Sequence, residues 1–156
     1  MQQIKEFFGN YMLMSAIAGW LGAQIIKVFT GMFKERTFNI ATLLFSTGGM
    51  PSSHSAVVCA LSTSSVILNG WGSPITAVCF ALAVIVMIDA SGVRYETGRQ
   101  AKILNKLIVE LFSPENTPKE FNTKLKELVG HTPVQVVVGA IFGVFAAIVL
   151  AIFMVW

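Results

Sequence analysis

Charge is scarce in this chain. Of its 156 residues, 12% are Asp, Glu, Lys or Arg, while 54% are hydrophobic. A soluble domain carries roughly 25% charge, so the composition belongs to a multi-spanning membrane protein. Acidic residues number eight and are not clustered, which leaves no carboxylate set for a two-metal hydrolase. Cysteine is limited to Cys59 and Cys79, both inside apolar stretches. They read as small buried residues, neither a disulfide framework nor a metal site. No internal repeat is visible, and the length leaves no room for a separate soluble domain, so residues 1–156 read as one membrane domain. No secretory signal is expected at Met1–Gly9, which carries Lys5 and Glu6 ahead of a full-length apolar run.

Four apolar segments are present. The first runs from about Tyr11 to Phe33, the second from Pro51 to Leu68, the third from Pro74 to Ile88 and the fourth from Pro133 to Trp156. At about 1.5 Å per helical residue, the first can cross a hydrocarbon layer of roughly 30 Å. The expected fold is an all-α, polytopic membrane bundle with four transmembrane helices. Residues 38–50 are too short for a span and read as a short helix or re-entrant segment. The third helix is expected to continue past the membrane, since Ile103, Leu104, Leu107, Ile108 and Leu111 form a stripe at helical spacing. Thr117 to Glu120 reads as the capping box of a short amphipathic helix ending at Gly130, and Thr132 to Gln135 as that of the fourth span. Gly139 and Gly143 have the spacing of a close helix contact, within the chain or with a second copy.

The net charge of +3 serves orientation in this reading, and no nucleic-acid partner is expected. Of eleven basic residues, all but Lys5 fall in or beside the connections after the first and third spans. Those connections should face the cytoplasm of a cell-membrane protein. A fifth crossing by residues 38–50 would reverse that topology.

The unusual polar residues gather at the same face. Lys27, with Gln24 one turn earlier, sits in the first span, where a cation costs about 3 kcal/mol on insertion scales. It reads as an anion contact or as a lysine snorkelling to the boundary. Gly49 ends a turn into Pro51-Ser52-Ser53-His54, where unbonded helix N–H groups and serine hydroxyls suit phosphate oxygens and His54 suits a proton donor. His131 precedes another helix start and reads as a neutral nucleophile, with Gln135 either touching the ring or only capping Thr132. Asp89 ends the third span and suits orienting a histidine. Arg94 and Arg99 follow it and suit forked contacts to phosphate or surface ion pairs, with Glu96 within reach of Arg99.

Three stretches, GGMPSSHSA at 48–56, DASGVRYETGRQAKILN at 89–105 and GHTPVQVVVGAIFGV at 130–144, resemble the divergent branch of the type-2 phosphatidic acid phosphatase superfamily, also described as acid phosphatase and vanadium haloperoxidase related. The Gln24 and Lys27 pair also looks like that branch. The resemblance implies a phosphate-binding role for Ser52, an acid role for His54 and a nucleophile role for His131. Ser53 stands where the main superfamily has glycine, and Gln135 where it has aspartate four residues after the nucleophile. Leu125-Lys126 replace its serine-arginine pair, and Lys34-Glu35 its arginine-proline. The expected activity is metal-independent hydrolysis of lipid phosphates or pyrophosphates, polyprenyl ones among them, with no cofactor. The alternative is a non-catalytic binder or carrier of lipid phosphates. The expected partner is a membrane lipid with a phosphate head group, and a homo-oligomer remains open.

Overall fold

The computed structural model describes residues 1–35, 49–111, 125 and 130–156. Six helices lie among them: α1 (Gln2–Gly9), α2 (Tyr11–Glu35), α3 (Ser53–Asn69), α4 (Pro74–Ser91), α5 (Val93–Leu111) and α6 (Pro133–Met154). The expected segment at 38–50 falls almost wholly outside the described residues, as does the amphipathic helix expected between Thr117 and Gly130.

Local chemistry sets the helix ends. The Asn10 Oδ1 accepts from the Leu13 N–H at 3.1 Å and starts α2. Ser52 caps α3, accepting from both the N–H and the hydroxyl of Ser55. Gly70, at φ +75°, ends it. Pro74 opens α4. The Gly92 N–H closes α4 onto the Ile88 carbonyl at 2.8 Å, and α5 continues directly. The apolar pattern therefore extends from Pro74 to Ile108, in line with the expected continuation of the third helix. The short α1 was not expected from the sequence; it leaves Ile4, Phe7 and Phe8 exposed.

Among the described residues, three stretches are long and apolar enough to cross a membrane: Tyr11–Thr30, Pro74–Ile108 and Pro133–Met154. The second expected span, α3, is not among them: it is the serine-rich centre of the bundle and packs against α6, α2 and α4. Its seventeen residues extend about 25 Å. Its hydroxyls are satisfied locally. Ser62 donates to the carbonyls of Val58 (2.8 Å) and Cys79 (3.1 Å), Thr63 to that of Cys59 (2.8 Å), and the Ser65 and Thr76 hydroxyls meet at 2.9 Å.

Size is sorted opposite to a water-soluble core. The buried apolar positions are mostly small, among them Ala56, Ala60, Ala83, Ala147 and Ala151, while Ile25, Phe29, Ile141, Phe145 and Ile152 point outward. Lipid tails are as apolar as a leucine, so bundle cohesion comes from close backbone approach and interhelical hydrogen bonds. Gly139 lies on the Ser52 backbone and Gly143 on the Ala56 carbonyl; a Cβ at either position would collide there. That pair therefore serves a contact within the chain. At the other end of the bundle, the Tyr11 hydroxyl donates to the Ala147 carbonyl at 2.7 Å and ties α2 to α6.

Candidate phosphate site at one end of the bundle

The alternating helices bring the late part of α2, the start of α3, the end of α4 and the start of α6 to one end. Backbone hydrogen bonds stitch these parts together. The Ser52 N–H donates to the Gln135 carbonyl, and the His131 N–H to the Ala90 carbonyl, both at 3.0 Å. The Thr30 hydroxyl lies 3.3 Å from the Met50 carbonyl and holds the approach to α3 against α2. Gly49 sits on that approach at φ +88°, a left-handed conformation that glycine adopts without strain.

Lys27 is 7% exposed and its Nζ donates to the Ser53 hydroxyl at 3.1 Å. A lysine that snorkels to the boundary would keep its head in water; this one turns inward. Gln24 is buried one turn earlier on α2, and Ser52 and Ser53 are buried at the start of α3. His54 is half-buried and His131 is buried. Their ring centroids lie 6.0 Å apart at an interplanar angle of 60°. A buried cation, a serine-lined helix start and two imidazoles thus share one end of the bundle. The positive end of the α3 helix dipole adds potential to that end.

The other expected residues are placed as follows. Asp89 is half-buried in the last turn of α4, one residue before the carbonyl that anchors His131. Gln135 completes the capping box: its Oε1 accepts from the Thr132 N–H at 2.9 Å. Its support for the site is through its own carbonyl, which receives the Ser52 N–H. Arg99 is exposed and donates to Glu96 Oε1 at 3.2 Å, so it is turned to the surface and not to the buried cluster. Arg94 lies in the first turn of α5; its side chain is outside the described residues. No group of three or more His, Cys, Asp or Glu placed to hold a metal ion occurs among the described residues.

A family model described as the divergent PAP2 family matches residues 8–146, a stretch that holds every residue of this cluster. The chain belongs to the divergent PAP2 family. It is also 42% identical over 156 residues to the uncharacterized membrane protein YuiD of Bacillus subtilis (strain 168), covering 95% of this chain and 98% of that protein. No solved structure matches the chain. Membership fits the multi-pass bundle.

Two supports of the site carried no sequence signal. The carbonyls of Ala90 and Gln135 act through the backbone, which every residue possesses. Thr30 gave a faint one, since a hydroxyl one turn after Lys27 lies on the same side of α2.

Proposed function

We propose that this divergent PAP2 protein is a membrane-embedded phosphohydrolase of lipid phosphates or pyrophosphates, polyprenyl phosphates among them. The observation that carries the reading is the 6.0 Å approach of the His54 and His131 rings at the bundle end where Lys27 meets Ser53. In this reading α3 is a fourth span, and the site opens to the cytoplasm, as the basic connections favour.

The chemistry runs in two steps. Lys27, Ser52, Ser53 and the first-turn N–H groups of α3 hold the phosphoryl oxygens. An imidazole nitrogen of His131 attacks phosphorus, forming a P–N bond while the P–O bond to the leaving group breaks. His54 gives its proton to the departing oxygen. Water, losing a proton to His54, then attacks the phosphohistidine, releasing phosphate and restoring both rings. Asp89 orients an imidazole, and Arg94 is a further phosphate-binding cation.

The test is phosphate release from a long-chain prenyl pyrophosphate by the full chain in lipid nanodiscs. His131→Ala should abolish release, and His54→Ala should lower it by about 10²–10⁴-fold, the usual worth of a general acid. Both variants should still bind orthovanadate. Release at the wild-type rate in both would refute the mechanism.

A second reading, a lipid-phosphate carrier, is favoured by one observation. Gln135 stands where the main superfamily has a carboxylate, and its side chain is committed to Thr132. A carrier would move head groups between leaflets without releasing phosphate. Transport would survive His131→Ala and fail in Lys27→Ala.

A further inference from the structure

A cavity of about 350 Å³ lies between α3, α4 and α6. Cys59 and Val66 of α3 and Phe80, Val84 and Met87 of α4 wall it, and Trp71 stands at its far end. The hydroxyls in its wall are turned to backbone: Ser62 to the Val58 and Cys79 carbonyls, Thr63 to the Cys59 carbonyl. What remains toward the space is apolar, and such a space holds hydrocarbon in preference to water.

The Cys59 end of the cavity is the end nearer the phosphate site along α3. Cys59 is five residues from His54, about 7.5 Å along α3. Met87 is two residues before Asp89, and its sulfur touches the Cys59 sulfur at 3.9 Å. The other end is marked by Trp71, whose ring lies 5.7 Å from that of Phe80. From Cys59 to Val66 the wall extends about 10 Å along the helix. The volume equals roughly a dozen water-sized groups of ~30 Å³ each, which suits a single chain. A helix, about 10 Å across, is too wide for it.

We infer that this groove seats one hydrocarbon chain of a lipid whose phosphate is held by Lys27 and Ser53. This rests on the phosphate reading above. The head group fixes the chain's entry beside Cys59 and Met87, and the chain runs along α3 toward Trp71.

The probe is hexadecyl phosphate carrying a diazirine at mid-chain, photolysed with the full chain in phosphatidylcholine nanodiscs. Adducts should map to Cys59–Val66 or Phe80–Met87. They should exceed those on the outward α2 residues Leu21, Ile25 and Phe29 at least tenfold, and unlabelled hexadecyl phosphate should compete them away. Val84→Trp fills the groove from its exposed wall, away from the helix contacts. It should cut groove adducts at least fivefold and leave butyl phosphate binding unchanged. Adducts spread evenly over the lipid-facing surface, or groove labelling that survives Val84→Trp, would overturn the assignment. If the groove alone is wrong, Lys27→Ala still weakens hexadecyl phosphate binding while adducts scatter. If the phosphate reading is wrong, diazirine-bearing hexadecanol labels the groove as strongly as the phosphate does, and the anchored-chain proposal falls with it.

Discussion

Gly139→Ala is the sharpest perturbation of the site that touches none of its reactive groups. A methyl group at this position would overlap the Ser52 carbonyl oxygen and stand 3.0 Å from the Ser52 nitrogen. Both are backbone atoms at the capped start of α3, so neither can swing aside as a side chain would. Overpacking of this kind costs about 1–3 kcal/mol. Relief requires α6 to withdraw, which stretches the 3.0 Å bond from the Ser52 N–H to the Gln135 carbonyl. Leaving that buried pair unmade adds about 1–3 kcal/mol. Alanine's helix propensity returns about 1 kcal/mol. The net loss should be about 1–5 kcal/mol, a change of roughly five- to several-thousand-fold in the unfolding equilibrium at 1.4 kcal/mol per decade. The assay is reversible unfolding in mixed micelles with increasing SDS. Gly72→Ala is the control: a Cβ there meets nothing within 4 Å, and it should stay within about 0.5 kcal/mol of the parent. Equal stability of the two variants would refute the close α3–α6 approach.

Three further outcomes follow from single contacts. Tyr11→Phe removes the buried 2.7 Å bond to the Ala147 carbonyl and should cost about 1–3 kcal/mol in the same unfolding assay. Phosphate binding, at the opposite end of the bundle, should be unchanged. Arg99→Gln breaks an exposed pair with Glu96; stability should move by less than about 0.5 kcal/mol. Phosphate release, measured with a soluble pyrophosphate analogue, should change less than twofold. Gln135→Ala leaves the Thr132 N–H without its 2.9 Å acceptor and should cost about 1 kcal/mol of stability. Orthovanadate should still bind, since the carbonyl that receives Ser52 remains.

The spans were legible because lipid-facing segments must be long and apolar, as Pro133–Met154 is. The helix start at Thr132 was legible because capping places a hydroxyl and a proline at fixed offsets, whereas α3 starts two residues after the expected Pro51, because Ser52 takes the cap and the proline precedes it. The α3 helix reads differently: its serines mark a helix enclosed by protein, whose hydroxyls bond to neighbouring carbonyls instead of meeting lipid. Short α1 was invisible because eight residues give too few turns for a periodic signal. At the site, the inward turn of Lys27 needed the partner Ser53, which lies 26 positions away and whose proximity no local pattern encodes. Arg99 was ambiguous because an arginine beside Glu96 at helical spacing serves a surface pair as readily as a ligand. Gln135 carried two readings at once, and the 2.9 Å bond to Thr132 assigns its side chain to the cap.

The most direct measurement is a crystal structure of the full chain with orthovanadate. Vanadate should lie within hydrogen-bond reach of Lys27 Nζ and the Ser53 hydroxyl, with a nitrogen of His131 in line with vanadium and a nitrogen of His54 within reach of a vanadate oxygen. Vanadate bound elsewhere, or a packed helix between the two imidazoles, would contradict the claim that these residues converge on one phosphate.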